Sequence, residues 1–167
     1  MLKIKKIAQE IEAKFSKYQD LSDLLACVKA VRDLHQTHHW QTRGDSYYGD
    51  HQLFERLYEE SEDEIDDLAE KVVALSGVEA VNLLDQSKIR HECITEMLGN
   101  EPNVSPDEMV SRSLKAEEKV LGKIADILAE LEKENLDTPG LSNLLEDIAD
   151  RHEKFLYLLG QRHNKSD

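Results

Sequence analysis

The chain has 167 residues, enough for one domain with a substantial core. Only 7 Gly and 3 Pro, beside 40% apolar and 34% charged residues, make the composition of long helices and exclude a disordered chain. A net charge of −14 disfavours nucleic acid and anionic membrane as partners and favours cations, and Cys27 and Cys93 form no C-x-x-C pair and imply no disulfide framework.

Residues 1–19 read as an N-terminal extension, a weak amphipathic helix with Lys3, Lys5 and Lys6 at its start. It has no apolar signal region, and nowhere does an apolar run approach the ~18 residues of a membrane span. A cytoplasmic protein is expected. The first long helix runs from about Leu21 to His39, with Leu24, Leu25, Val28, Val31 and Leu34 on one stripe, and stops near Arg43-Gly44. After a link through Gly49, the second runs from about Asp50 to Leu75, with Leu53, Phe54, Leu57, Ile65, Leu68 and Val72 inward, and ends at Ser76-Gly77. Between those apolar positions, Glu59 to Glu64 is a strongly acidic block, readable as cavity lining or as a solvated face.

Val78 to Leu98 is a shorter, less regular helical stretch that can cross from one end of a bundle to the other. Ser105, Pro106 and Glu108 then form a capping box with Pro at the first helical position. Val110, Leu114, Leu121, Ile124, Leu128 and Leu131 carry that third helix to about Asn135. Thr138-Pro139 opens the fourth, striped by Leu141, Leu144, Leu145, Ile148, Phe155, Leu156 and Leu159. The expectation is all-α: a ferritin-like four-helix bundle over residues 20–162, with a short helix in the long crossover between the second and third long helices, and a polar tail at 163–167.

The residues with chemistry are His39, His51, Glu55, Asp66 and Glu70. His51 and Glu55 are four apart, as are Asp66 and Glu70, so each pair shares a helix face. Eleven residues at ~100° each bring both pairs to one stripe, but the rise separates Asp66 from the first pair by roughly 16–22 Å. Metal–ligand bonds are about 2.0–2.2 Å, so one chain cannot bring both pairs to one ion. His39, His51 and Glu55 can form half a site, and Asp66 and Glu70 can complete it from a second copy across a two-fold axis. Imidazole and carboxylate without thiolate suit Fe(II), Zn or Mn, and the excess of carboxylate favours iron. Acid pairs four apart also arise on any exposed helix. No residue three before a histidine is acidic, so the Glu-x-x-His pattern of an in-bundle di-iron site is missing and such a site is not expected.

From His39-Trp40 through Gly44 and His51 to Asp66-Asp67-Leu68-Ala69-Glu70, the chain resembles the Dps family, or miniferritins, and His152-Glu153-Lys154 resembles that family's last-helix segment. The likeness covers about residues 20 to 162. It implies a homo-oligomeric shell, a dodecamer, with ferroxidase sites between two-fold-related subunits. Fe(II) would be oxidised by hydrogen peroxide or dioxygen and stored as ferric mineral, protecting against oxidative stress. By position, His39, His51 and Glu55 come from one subunit and Asp66 and Glu70 from its mate; zinc could serve as a surrogate ion. Trp40 matches the tryptophan beside that site.

The chain departs from the family pattern at Glu55, usually Asp, at Lys71, usually Arg, and at Tyr157, usually Trp. His35 and His38 have no family role; His35 and His39, four apart, could bind a second ion, but His35 and His38 read rather as surface or interface residues. DNA binding in the family uses a basic tail. Here Lys3, Lys5 and Lys6 are soon countered by Glu10 and Glu12, and a shell of −14 subunits repels phosphate. The alternative to a ferroxidase is a non-catalytic shell that sequesters metal or compacts DNA.

Overall fold

In a computed structural model that describes residues 17–98 and 104–163, the apolar stripes become helices packed side by side. Helix α1 spans Gln19–Gln41, α2 Tyr47–Glu60 and α3 Glu62–Ser76; a 3-10 turn at Val78–Val81 leads to α4, Leu83–Leu98; α5 is Pro106–Lys133 and α6 Pro139–His163. No strand occurs among the described residues. The N-terminal extension, apart from its last residues, and the tail beyond His163 lie outside them.

Local chemistry sets the ends. Gly44 and Gly77, after α1 and α3, take φ of +78° and +94°, which a side chain would strain. Ser105 caps α5 by accepting from the Glu108 amide at 3.2 Å, with Pro106 behind it. The expected box is only half made, because the Glu108 carboxylate accepts from Arg112 instead. Beyond Lys133, α5 is terminated by Asn135, φ 54°, where Leu136 N–H donates to Leu131 O and Asn135 N–H to Glu132 O, the paired bonds of a Schellman turn. Thr138 Oγ1 accepts from the Leu141 amide at 3.3 Å to open α6.

Two boundaries differ from expectation. The second helix begins at Tyr47, taking up part of the link, and it breaks at Ser61. Ser61 is buried and its hydroxyl donates back to Leu57 O at 2.9 Å, an interaction that bends helices. Ile65 N–H still reaches Ser61 O, so α2 and α3 act as one bent rod.

Helices α1, α2–α3, α5 and α6 form the bundle, and α4 lies against α1. Helix α1 is therefore covered on both sides, which is why Leu21, Leu24, Leu25, Ala26, Cys27, Val28 and Val31 are all buried around it. The crossover is anchored there: Ser22 Oγ donates to Ala80 O at 2.7 Å, and Gln86 Nε2 donates to Ser22 O at 3.0 Å. Cys27 and Cys93, from α1 and α4, are buried and free.

The apolar core comes in two parts. A larger one gathers Leu24, Val31, Leu68, Val120, Leu145 and Ile148; a smaller one gathers Phe54, Leu57, Met109, Val110, Phe155 and Leu159. His35, Glu64, Glu117 and His152 are also buried, and both His35 and His152 meet Phe155 of the smaller part.

Candidate metal centre

His39 ends α1 and His51 lies in the first turns of α2, and the short loop between the two helices brings the rings together. Their centroids are 3.7 Å apart and their planes 20° from parallel. His39 Nδ1 is 2.9 Å from His51 O, and His51 Nδ1 is 3.0 Å from His39 O. A carbonyl only accepts, so both Nδ1 atoms carry hydrogen and donate. In the neutral rings each Nε2 then keeps its lone pair, the state a metal needs, with ring orientation set by the backbone. Thr42 Oγ1, which donates to His39 O at 2.8 Å, lies 3.3 Å from His51 Nδ1. Tyr47 stacks on His51 at 5.1 Å, and Tyr58 meets His39 edge-on at 5.4 Å.

Glu55 is half-exposed one turn along α2, while Asp66 and Glu70 are exposed on α3. Desolvation, with Glu59 and Glu55 beside it, raises the Tyr58 hydroxyl above its usual range. The structure thus joins His39 to His51, while Glu55 lies near enough to Tyr58 to act on its hydroxyl. Asp66 and Glu70 sit beyond the bend at Ser61 on the next helix. Trp40, matched to the tryptophan beside the site, is 68% exposed in the single chain; Tyr47 and Tyr48 are exposed too. Among the described residues of one chain, no group of three or more His, Cys, Asp or Glu is set to hold an ion.

A second polar cluster lies inside the bundle. His35 of α1, Glu64 of α3, Glu117 of α5 and His152 of α6 are all at most 2% exposed. His35 Nε2 is 3.1 Å from Glu117 Oε1, Glu117 Oε2 bonds His152 Nδ1, and His152 Nε2 is 3.3 Å from Glu64 Oε1. Arg151 Nε closes the outer end at 3.4 Å from Glu64 Oε2. Burial opposes a charge on His152, but Glu117 and Glu64 on either side outweigh it and raise the imidazole to about 10. Burial, with Glu64 nearby, pushes the Glu117 carboxyl up against the pull of His152. Burial, then His38 and His152, hold His35 well below the ordinary histidine value. His38 is buried as well, with Nδ1 3.0 Å from Ser113 Oγ and its ring against Phe54.

Two expectations are corrected here. His35 and His38 are interior residues, not surface ones, because α1 is enclosed on both sides. Glu64 leaves the acidic block and enters the core, since it falls on the stripe of Leu57, Ser61 and Leu68 that faces inward. Histidines and glutamates also meet inside one subunit, as a chain of paired side chains with no Glu-x-x-His spacing.

The ferritin-like domain model matches residues 18–165. The "DNA protection during starvation protein" of Brevibacillus brevis is 29% identical over 126 residues, 72% of this chain and 76% of that one. DpsC from Streptomyces coelicolor superposes with a TM-score of 0.77 at 26% identity, covering 90% of this chain and 85% of its own. The chain belongs to the ferritin-like family, as a Dps protein. The Dps of Vibrio cholerae O1, described as a member of a broad superfamily of ferritin-like diiron-carboxylate proteins, has the same fold with a TM-score of 0.76, 19% identity and 92% of both chains covered. The Dps family is one of iron storage and stress protection in general. No helix among the described residues is long and apolar enough to cross a membrane.

Within the Dps fold, the in-bundle cluster is what the sequence reading missed. A signal was present. His152 falls between Ile148 and Phe155 on the α6 stripe, Glu117 four before Leu121 on α5, and His35 four after Val31 on α1. Each occupies a position where the 3.6-residue period calls for a core side chain. A polar residue there is the informative exception, because burying it unpaired costs several kcal/mol, of order 2–7.

Proposed function

We propose that this Dps protein assembles with copies of itself into a hollow shell, a dodecamer, oxidises Fe(II) at sites shared between two-fold-related subunits and stores the ferric product inside. The observation that carries this reading is the mutual bond between His39 and His51, which leaves two aligned imidazoles each with a free Nε2. Glu55 adds a carboxylate from the same chain, and Asp66 and Glu70 of a second copy supply the rest. The rise from His51 to Asp66 exceeds any coordination sphere, which supports sharing between two chains. The exposed rings of Trp40, Tyr47 and Tyr48 beside the histidines give that face apolar surface for another copy to cover.

Iron is the substrate. Two Fe(II) ions give one electron each to one hydrogen peroxide, which with two protons yields two waters and two Fe(III). Dioxygen is the alternative oxidant. The histidines and carboxylates bind and orient Fe(II), and the carboxylates offset the charge that rises on oxidation. The DNA named in the relative's description is not extended to this chain, whose −14 charge repels phosphate.

The test is anaerobic mixing of the full-length protein with Fe(II), followed by a peroxide pulse, reading ferric absorbance. His51→Ala and Asp66→Ala are each expected to slow oxidation at least tenfold while leaving the assembly size unchanged in light scattering. Parental rates in both variants would overturn the site, and a monomeric parent would overturn the sharing.

A further inference from the structure

We propose that Cys27 and Cys93 are a redox-active dithiol, which hydrogen peroxide closes to a disulfide between α1 and the crossover helix α4 of the same chain. The two residues are far apart in sequence, and the packing of α4 along α1 brings them together. Both are free and buried in the larger part of the core. Their side chains are hydrogen-bonded to each other, with Cys27 donating and Cys93 accepting. Cys27 precedes His39 on α1 by twelve residues, roughly 18 Å along the axis, so the pair is separate from the histidine face and needs no iron.

The two thiols are not equivalent. Cys93 keeps 5% of its surface in solvent and Cys27 none, so a small oxidant meets Cys93 first. Helix α5 brings Lys119 and Lys123 to the pair, and an ion pair with Glu96, one turn beyond Cys93, holds Lys119 against α4. The bond from Cys27, and then the two lysines, hold the Cys93 thiol below its usual range, against burial and Asp23 of α1. Giving that bond, together with burial, pushes the Cys27 thiol up. A buried cysteine by itself behaves as a small apolar residue, whereas a thiolate beside cations and open to solvent is reactive. Two lysines against one aspartate also repel a divalent cation, which points to oxidation and not to metal binding.

The chemistry balances with peroxide as the oxidant. The Cys93 thiolate attacks one peroxide oxygen and the O–O bond breaks, leaving a sulfenic acid and a hydroxide that takes up the proton Cys93 had released. The Cys27 sulfur then attacks the Cys93 sulfur, the S–O bond breaks, and the hydroxyl leaves as water with the Cys27 proton. Two thiols are oxidised to one disulfide and one peroxide is reduced to two waters. The sulfurs close to about 2.05 Å along the line of their existing contact. The new bond ties α4 to α1 covalently, in addition to the Ser22–Gln86 anchor.

The test uses the full-length protein, reduced, stripped of metal with chelator and then exposed to hydrogen peroxide, so its outcome does not depend on iron oxidation. Expected are the loss of both thiols, an intact mass lower by two hydrogens, a Cys27–Cys93 peptide in a non-reducing digest and a raised unfolding temperature, all reversed by dithiothreitol. Two thiols that persist, Cys93 oxidised alone to sulfinic acid, or disulfides only between different chains would each overturn the proposal. The order of events has its own readout. In Cys27→Ser, a sulfenic acid should be trapped on Cys93 by dimedone, and in Cys93→Ser, Cys27 should react at least tenfold more slowly. Equal rates in the two variants would overturn Cys93 as the attacking thiol. Should either variant fail to fold, the same order is read in the parent, where brief peroxide with dimedone should label Cys93 and not Cys27, and the reverse pattern overturns it.

Discussion

His39 and His51 each donate Nδ1–H to the other's main-chain carbonyl, at 2.9 and 3.0 Å, so the backbone that joins α1 to α2 also chooses the tautomer of both rings. Each imidazole's second nitrogen is thereby left as a lone-pair donor before any metal arrives. That is the usual outer-shell device for orienting a histidine ligand, made here by the two histidines for each other.

Sharing between subunits has a numerical signature. Co-assemble His51→Ala chains with Asp66→Ala chains in equal amounts. An intact site needs its histidines from the second variant and its carboxylates from the first, so about one quarter of sites should be whole under random pairing. Iron oxidation should return to roughly a quarter of the parental rate, from two proteins that are each nearly inactive. A site built within one chain would show no recovery in the stopped-flow trace.

Glu55 tests how strict the carboxylate geometry is. Glu55→Asp shortens the arm by one methylene but keeps charge and donors, and is expected to hold iron oxidation within about threefold of the parent. Glu55→Ala removes a ligand and is expected to lower it at least tenfold. Equal rates for all three would remove Glu55 from the site.

The start of α2, which carries His51, is tied to the end of α6. Arg162 donates through Nε and Nη2 to the two oxygens of Asp50, at 2.5 and 3.1 Å, and Ser46 Oγ adds a bond at 2.6 Å. Asp50 is 1% exposed, whereas Arg162 keeps about a quarter of its side chain in solvent. Arg162→Met would strand a buried carboxylate. Allowing for partial screening, the loss should be about 2–3 kcal/mol in urea unfolding. Asp50→Asn with Arg162→Met should cost less than Arg162→Met alone.

His38 gives a pH dependence. Its enclosure, with Arg112 nearby, lowers the imidazole from 6.5 to about 4. The folded value is the depressed one, so its stability contribution is full above pH 6.5 and is lost as the pH falls toward 4. The unfolded chain takes up the proton first. The loss is at most about 3 kcal/mol for this residue. His35, also depressed, acts in the same direction. His38→Gln should flatten the difference between unfolding free energies at pH 7 and pH 4.5, and an undiminished slope would assign the effect elsewhere.

The fold was legible because helix signals are local. Ser105, Pro106, Thr138, Gly44 and Gly77 act on amides and dihedrals within four residues of themselves, and each marked an end where the structure has one. The pairing of His39 with His51 followed from a short link between antiparallel helices. The bend at Ser61 was not legible, since a serine inside a helix pattern reads as an ordinary polar position until its hydroxyl is seen to take Leu57 O.

The sequence by itself determined the helices, their caps and the crossover, and put His51 with Glu55 and Asp66 with Glu70 each on one helix face, because periodicity and side-chain spacing are properties of one rod. Only the tertiary structure decided that His35 and His38 are interior and that Glu64, Glu117 and His152 meet them or each other across the bundle. The axial height of each rod is set by how α4 seats on α1 and how α3 turns at Ser61. Those are contacts between residues far apart in the chain, which no local pattern records.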